Sequence, residues 1–190
     1  LKWAETKDGF IAPFHQESGK PFWITSLKSK KLVHKWRTEE ASILIGTNTV
    51  EKDNPSLTAR LWDGNQPLRL IIDRSLRLPN NLNVFDDSIQ TIVFTEQSKE
   101  NSGLTEYQHI DFNSIHQEIM NALYQRNIHS VIIEGGKKTM QSFIDIDLWD
   151  EARVFVGDEN LEKGIIAPQL NGRHVNEECI STDLLKYYYR

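Results

Sequence analysis

The stretch VIIEGGKKTMQSFI, at residues 131–144, decides the fold class of this chain. Its apolar beginning predicts a buried strand over residues 129–133, and a Gly-Gly turn at residues 135–136 leads into a helix predicted over residues 137–144. A turn without side chains lets the backbone approach a ligand closely. The helix after it presents free N–H groups and the positive end of its dipole, which suits a phosphate. Because the stretch matches neither the G-x-G-x-x-G fingerprint nor a P-loop, a purely structural turn is the alternative.

Apolar strands and amphipathic helices alternate over most of the remaining sequence. We predict strands over residues 1–6, 42–45, 68–73, 91–95, 152–156 and 184–189, and helices after Ser26 and over residues 47–53 and 114–126. This order favours an α/β fold with a mostly parallel sheet and helices on both faces. The last two strands have no convincing helix between them, so we expect an antiparallel C-terminal edge. Because no linker is long enough to divide the chain, residues 1–190 are predicted to form a single domain.

The composition argues against several classes of protein. The chain is 38% hydrophobic and 26% charged, which is ordinary for a soluble domain, and no apolar run approaches the roughly 20 residues of a membrane span. A net charge of -5 argues against general nucleic-acid binding, which needs a basic surface. The single cysteine, Cys179, excludes an internal disulfide and fits a cytoplasmic location. Since the histidines also lack metal-ligand spacing, we expect no metal site.

Three charged side chains near the predicted strand and helix ends are candidates for ligand binding. Glu134 follows its strand at the carboxyl end, where open α/β sheets bind ligands, although a solvent-facing carboxylate is the alternative. Arg60 comes after the polar segment that follows Gly46, and it could grip a phosphate in a bidentate fork or simply be solvated. Arg37 ends a predicted helix, where an arginine often only compensates the dipole. His34 shares a helix face with Arg37 and is expected at the surface, as most such histidines are.

Motifs that are weak one by one keep a fixed order along the chain. They are Trp23-Ile24-Thr25-Ser26, Val33-His34 with Arg37, Gly46-Thr47-Asn48-Thr49-Val50, Asp53-x-Pro55-x-Leu57-Thr58-x-Arg60, Pro67-x-Arg69-x-x-x-x-Asp73 and Glu134-Gly135-Gly136. From residue 1 to about residue 170, this succession resembles the reductase half of the bifunctional riboflavin-biosynthesis deaminase/reductase family. The resemblance implies a dihydrofolate-reductase-like fold, which agrees with the α/β prediction.

The resemblance also implies a reaction, the NADPH-dependent reduction of 5-amino-6-(5-phosphoribosylamino)uracil to 5-amino-6-(5-phosphoribitylamino)uracil. In that reaction the ribosyl ring opens to an imine and C1′ of the sugar takes a hydride, so the nicotinamide must lie close to C1′. Two alternatives stay open. One is a reductase of the same fold that acts on another pyrimidine or a pterin substrate, although the paired arginines favour a phosphorylated substrate. The other is a catalytically silent nucleotide-binding or oligomerisation domain.

Individual residues take roles from the same resemblance. The cofactor-binding positions are Ala4, Trp23, Thr49, Asp53, Gly136, Lys137, Lys138, Thr139, Met140, Gln141 and Ser142, with Arg74 a candidate for the 2′-phosphate of the cofactor. The substrate-binding positions are Arg37, Leu57, Arg60 and Glu134, and the two arginines are the natural pair for the phosphate of the substrate. Lys2 and Glu134 are the catalytic candidates, Lys2 beside the reacting sugar and Glu134 at the pyrimidine edge or assisting proton transfer. A carboxylate with an ordinary pKa of about 4 would need burial to act as an acid near neutral pH.

The sequence departs from the family pattern at Pro21, where a serine commonly contacts substrate. That change is the only support for the silent-domain alternative. In this family a deaminase domain precedes the reductase. The zinc motif of the deaminase is missing here and the chain begins abruptly, so we expect residues 1–190 to be a fragment with a deaminase before residue 1. A stand-alone reductase is the alternative. The resemblance further implies a homodimer. The tyrosines at residues 187–189 fit a core strand better than a dimer contact.

Overall fold

The computed structural model describes residues 1–15 and 21–190. The strands are β1 Lys2–Glu5, β2 Phe10–Ala12, β3 Ser42–Gly46, β4 Leu68–Ile72, β5 Thr91–Thr95, β6 Thr105–His109, β7 Val131–Gly135, β8 Glu151–Val156, β9 Ile165–Ile166, β10 Arg173–Ile180 and β11 Asp183–Tyr189. The α-helices are α1 Leu27–Glu39, α2 Thr47–Asp53, α3 Ile115–Gln125 and α4 Lys137–Asp145. Each strand and helix predicted from an apolar pattern is present, with small differences at its ends. In the described part of the chain, no helix is long and apolar enough to cross a membrane.

A parallel sheet in the order β6-β5-β4-β3-β7 forms the centre of the molecule. Strands β3, β4 and β5 are buried on both sides because helices cover both faces of the sheet. In β3, Ile43 and Ile45 belong to one core cluster, whereas Leu44 belongs to the other. Helix α1 packs Trp36 into the first cluster, and α4 packs Phe143 into the second. The predicted arrangement, a mostly parallel sheet between two layers of helix, is confirmed.

A second sheet, in the order β1-β8-β11-β10, adjoins the first where β1 lies beside β7. Strand β1 is parallel to β8, whereas β11 is antiparallel to both β8 and β10. The predicted antiparallel C-terminal edge is therefore confirmed. The tyrosines at residues 187–189 lie in β11, which is paired on both sides.

The strands that the sequence patterns miss include β6 and β10, and both lie at a sheet edge. Strand β6 has the sequence TEYQH and β10 has RHVNEECI. Each pairs with one neighbour only, and β10 is exposed along nearly its whole length. An apolar pattern cannot reveal such strands, because β6 is mostly polar in sequence and nearly all residues of β10 are exposed.

Candidate active site

Two glycine turns meet at the carboxyl end of the parallel sheet. Strands β3 and β7 are neighbours, and β3 leads directly into α2 as β7 leads into α4. A Cβ on Gly46 would lie 2.5 Å from Oγ1 of Thr139, and a Cβ on Gly136 would lie 2.9 Å from Oγ1 of Thr49. Glycine therefore lets each turn pack closely against the threonine of the other turn. The starts of α2 and α4 are brought together at the place where the sequence predicts a phosphate site.

The start of α4 keeps its backbone donors available. Its N-cap residue is Gly136, and no side chain caps the first turn of the helix. Lys137 is half-buried and Lys138 is exposed, and both add positive charge beside these N–H groups. Free N–H groups, a helix dipole and two lysines together favour an anionic ligand at this turn.

The last residues of the predicted cofactor segment lie away from this turn. Met140 is a core residue with 1% of its surface exposed. The side-chain amide of Gln141 bonds to both the N–H and the carbonyl of Gln169, and the hydroxyl of Ser142 donates to the carbonyl of Thr139. The Met140 side chain therefore faces the core, and the side chains of Gln141 and Ser142 are hydrogen-bonded within the protein. Residues 136–142 stay predicted as the cofactor-binding segment, and residues 136–139 are the part that lies at the turn.

A buried cluster of three charged side chains lies just before the turn. Arg37 on α1 donates from Nε to Oε1 of Glu134 over 2.8 Å, and from Nη2 to Oε2 over 2.7 Å. Nζ of Lys2, on β1, lies 3.8 Å from Oε2 of the same carboxylate. Only 6% of the Glu134 side chain is exposed, against 16% for Lys2 and 12% for Arg37. The fold thus brings three predicted site residues together from distant parts of the sequence.

The charges around Glu134 keep its carboxylate ionised. Burial would raise the pKa of this group, but the positive charges of Arg37 and Lys2 and the hydrogen bonds from Arg37 outweigh burial, and the pKa falls to about 2. Burial is the main reason that the pKa of Lys2 is lowered; Glu134 opposes this shift and Arg37 adds to it. Burial therefore does not make Glu134 an acid near neutral pH. Lys2 is the member of the cluster that gives up a proton more readily than usual.

Arg37 also belongs to a basic region on α1. Lys30 and Arg37 are seven residues apart and share a helix face, and Arg60 approaches that face from the segment after α2. Burial lowers the pKa of Lys30, and the charges of Arg60 and Arg37 lower it further. Arg60 is exposed, and its Nη1 lies 3.3 Å from the hydroxyl of Thr58. Lys30 is not among the residues predicted from the sequence, although the spacing of residues 30, 34 and 37 along one helix face could have revealed it.

His34, on the same face of α1, is buried rather than exposed. Only 2% of its surface is accessible, which corrects the prediction of a surface histidine. Its Nδ1 accepts a hydrogen bond from the N–H of Leu61 over 3.4 Å. The segment that carries Arg60 therefore covers this face of the helix.

Two other predicted site residues differ in how far their side chains are exposed to solvent. Leu57 has a left-handed backbone, with φ of 53°, and its side chain is 3% exposed in the core cluster of α1 and α2. Leu57 stays predicted as a substrate-binding position, and the burial of its side chain leaves its backbone as the part that can contact a ligand. Trp23 is 54% exposed, and Nζ of Lys30 lies 3.7 Å from the centre of its ring. Trp23 is therefore accessible from solvent, and Lys30 covers one face of its ring.

Arg74, the candidate for the 2′-phosphate, is already paired. It comes two residues after the end of β4, and its Nε donates to Oε2 of Glu96 over 2.6 Å. Its side chain is exposed. A phosphate at this position would have to compete with the Glu96 carboxylate for the guanidinium.

A cavity of 520 Å³ opens at the opposite end of β7. Its lining includes Tyr124, Trp149 and Arg153, and it contains none of the predicted site residues. Open α/β sheets bind ligands at the carboxyl ends of their strands, and this cavity lies at the other end of the strand. The candidate active site is therefore the region around Glu134 and the glycine turns. Among the described residues, no group of three or more His, Cys, Asp or Glu side chains could hold a metal ion.

Comparison with known proteins identifies the family. The family model of the RibD C-terminal domain matches residues 1–158. The chain belongs to the RibD C-terminal domain family. Riboflavin biosynthesis protein RibD of Aquifex aeolicus is 32% identical over 207 residues, which cover 100% of this chain and 57% of that protein. The chain spans about half the length of curated RibD relatives that it matches.

A further relative of the RibD C-terminal domain is named for a reductase alone. It is a 2,5-diamino-6-ribosylamino-4(3H)-pyrimidinone 5′-phosphate reductase of Archaeoglobus fulgidus. The two sequences are 26% identical over 171 residues, which cover 81% of this chain and 77% of that protein. The curated relatives thus include a pyrimidine reductase as well as RibD proteins.

Solved structures support the same assignment. A diaminohydroxyphosphoribosylaminopyrimidine deaminase/5-amino-6-(5-phosphoribosylamino)uracil reductase of Thermotoga maritima superposes with a TM-score of 0.85 at 33% identity, over 100% of this chain and 55% of that chain. A dihydrofolate reductase of Enterococcus faecalis superposes with a TM-score of 0.56 at 16% identity, over 100% of this chain and 94% of that chain. The predicted dihydrofolate-reductase-like fold is confirmed.

Proposed function

We propose that this chain is an NADPH-dependent reductase that converts 5-amino-6-(5-phosphoribosylamino)uracil to 5-amino-6-(5-phosphoribitylamino)uracil in riboflavin biosynthesis. The observation that carries the proposal is the position of Glu134, held ionised by Arg37 and Lys2 directly before the uncapped start of α4. A charged cluster that can bind a polar substrate thus lies beside a turn that can bind a phosphate of a dinucleotide. The Thermotoga relative is named for this reaction, and it shares the fold over the whole chain.

The glycine turns fit a nicotinamide dinucleotide. A Cβ on Gly135 would lie 3.0 Å from Cγ2 of Thr49. The backbone therefore carries no side chain at Gly135, where the two turns meet. The first N–H groups of α4, with Lys137 and Lys138, would hold a phosphate of the cofactor. Ala4, Trp23, Thr49 and Asp53 stay predicted as the lining of the rest of the cofactor. The bound cofactor supplies the hydride that C1′ of the sugar accepts.

The basic region supports a phosphorylated substrate. Arg60 is exposed and has Lys30 and Arg37 as neighbouring charges, so it is the side chain best placed to bind the substrate phosphate. Arg37 is held by Glu134 and by the carbonyl of Thr58, so its main contribution is its positive charge. The ionised carboxylate of Glu134 can accept hydrogen bonds from the pyrimidine.

Lys2 is the proposed proton donor. Reduction of the open-chain imine adds a hydride to C1′ and a proton to the nitrogen, so the site must deliver one proton. The pKa of Lys2 is lowered chiefly by burial, which brings its ammonium group closer to the range useful for acid catalysis. Glu134 stays ionised and holds Lys2 in place, 3.8 Å away.

The direct test follows the absorbance of the reduced nicotinamide when freshly prepared substrate is added. The proposal predicts substrate-dependent oxidation of NADPH, a raised KM in Arg60→Ala and loss of turnover in Glu134→Ala. Arg126→Ala is the matched control, because Arg126 pairs with Glu106 away from the site and its loss should leave both constants unchanged. A folded chain that binds NADPH but shows no substrate-dependent oxidation would contradict the proposal.

The second candidate substrate is the pyrimidine that still carries its 2-amino group. The Archaeoglobus relative is named for such a substrate, a diamino-pyrimidinone phosphate. A comparison of kcat/KM for the two pyrimidines separates the candidates. We expect the uracil to be preferred, and a clear preference for the diamino compound would change the substrate while leaving the reaction type intact.

We also propose that the protein forms a homodimer through β10. Within the described part of the chain, this strand pairs with β11 alone and leaves the N–H and C=O groups of its other edge open to a second strand. Light scattering of the purified protein tests the assembly. Val175→Pro in β10 should shift the mass towards a monomer, and an unchanged dimer would place the interface elsewhere.

A further inference from the structure

Two residues of α1 hold the segment that carries Arg60. Nη1 of Arg37 donates to the carbonyl of Thr58 over 2.9 Å, and Nδ1 of His34 accepts from the N–H of Leu61 over 3.4 Å. These two backbone groups lie on either side of Arg60. Since residues 34 and 37 are neighbours on one helix face, α1 fixes both flanks of the arginine from a single surface.

The protonation state of His34 allows its Nδ1 to accept this hydrogen bond. Nδ1 can accept only while it carries no proton, so the ring must be neutral. Burial, followed by the charges of Arg37 and Arg60, lowers the pKa of His34 to about 4. A second cation at this place would repel the arginines, whereas a neutral imidazole bonds to the backbone without adding charge.

Other contacts hold the same segment but do not replace His34. The N–H of Ala59 donates to Oε1 of Gln66 over 2.8 Å. Gly64 packs against α1, where a Cβ would lie 2.8 Å from Cβ of Thr38. These contacts fix the residue before Arg60 and the far end of the segment. The bond to His34 joins α1 to the backbone of the residue directly after Arg60.

We propose that His34 is a positioning residue for Arg60: its neutral imidazole anchors the Leu61 amide and thereby sets the guanidinium in register with the substrate phosphate. The inference rests on the proposed function, in which Arg60 binds that phosphate. Loss of the anchor should weaken phosphate binding and leave the cofactor site and the proton donor in place. The expected consequence is a change in KM without a comparable change in kcat.

The test is a double-mutant cycle between His34→Leu and Arg60→Ala, measured as KM and kcat for the phosphorylated substrate. Arg60→Ala should raise KM roughly tenfold to a hundredfold, since it removes charge-assisted hydrogen bonds. His34→Leu should raise KM about fivefold to tenfold with kcat within about twofold, the size expected for one lost hydrogen bond. In the Arg60→Ala background, His34→Leu should add nothing further to KM.

Two further measurements separate positioning from a merely structural role. His34→Asn should restore most of the lost affinity, because its amide oxygen can replace Nδ1 as the acceptor. With the dephosphorylated substrate, His34→Leu and the unmodified protein should have the same KM. Cofactor affinity and circular dichroism establish that each variant is folded, and His34→Ala takes the place of His34→Leu if the latter folds poorly.

Each contrary outcome has a distinct meaning. Additive effects of His34→Leu and Arg60→Ala, or an equal effect on the dephosphorylated substrate, would overturn the role of His34 and leave the proposed function standing. If Arg60→Ala itself leaves KM unchanged, the phosphate role of Arg60 fails and the role of His34 fails with it.

Discussion

Two arginine–carboxylate pairs lie at opposite ends of the parallel sheet. Arg69, near the start of β4, is fully buried and its Nη1 lies 2.7 Å from Oδ1 of Asp86. Arg37 holds Glu134 at the end of β7 with a similar distance of 2.7 Å. The side chain of Asp86 is 42% exposed, whereas that of Glu134 is 6% exposed and has Lys2 beside it. The Arg69–Asp86 pair anchors the connection between β4 and β5, whereas the Arg37–Glu134 pair lies beside the glycine turns.

The two pairs show that a shifted pKa does not by itself identify a functional carboxylate. The hydrogen bond from Arg69 lowers the pKa of Asp86 to about 2, and the pKa of Glu134 is also about 2. What distinguishes Glu134 is a second cation and its place at the carboxyl end of the sheet. Substitutions in the two pairs should therefore separate stability from activity.

Replacement of Glu134 with Gln should produce the largest effect. Arg37 and Lys2 would stay buried without their counter-charge, so the free energy of unfolding should fall by about 3–5 kcal/mol. Turnover should fall at least about a hundredfold, because the variant loses the charge that organises the site. Urea denaturation and NADPH oxidation measure the two changes. A stable and fully active variant would mean that the cluster at β7 is no different from the pair at β4.

Replacement of Lys2 should mainly affect catalysis. Lys2→Met should lower kcat about a hundredfold, the size expected for a lost proton donor. Lys2→Arg keeps the positive charge but does not release a proton, so it should be nearly as slow. Steady-state kinetics with saturating NADPH measure both variants. Full recovery of kcat in Lys2→Arg would show that only the charge of Lys2 matters.

Replacement of Arg69 should affect stability alone. Arg69→Met fills a similar volume but loses the bonds to Asp86, Ser88 and the carbonyl of Val84, so the free energy of unfolding should fall by about 1–3 kcal/mol. The kcat of the folded protein should not change. Urea denaturation gives the loss of stability, and a kcat that falls with it would show that the two ends of the sheet are coupled.

Acid titration should show the smallest difference between the Glu134 and Asp86 pairs. The folded pKa of Glu134, about 2, is below its ordinary value of 4.5. Its charge therefore stabilises the fold fully above about pH 4.5, and this contribution is lost as the pH falls towards 2. The difference in unfolding free energy between the protein and Glu134→Gln should narrow over that range, as measured by denaturation at each pH. Asp86→Asn should show a weaker dependence because solvent screens Asp86, and an equal slope would remove the contrast.

The sequence predicted the strands and helices whose apolar residues recur with a regular period, together with the turns marked by glycine. The strand over residues 42–46, the helix α3 and the Gly-Gly turn before α4 all follow from periodicity or from glycine. Strand β10 could not be predicted, because its residues are exposed and it has one neighbour. An edge strand of this kind is specified by the strand it pairs with and not by its own pattern.

The sequence names candidate site positions, but it does not determine the directions of their side chains. Family motifs placed Leu57 and Met140 at the site, yet both side chains lie in the core. Burial of His34 could not be foreseen, because it depends on a segment that folds back over α1. The ion cluster joins Lys2 to Glu134 only because β1 lies beside β7, a contact that no local pattern contains.

The most direct test of the central claim is the transfer of deuterium from NADPH labelled at C4 of the nicotinamide. The purified protein is incubated with labelled cofactor and 5-amino-6-(5-phosphoribosylamino)uracil, and the product is examined by mass spectrometry and NMR. The account predicts a ribitylamino product with one deuterium at C1′, formed at least about a hundredfold more slowly by Glu134→Gln. A product without deuterium at C1′, or no product from the folded, cofactor-binding protein, would contradict it.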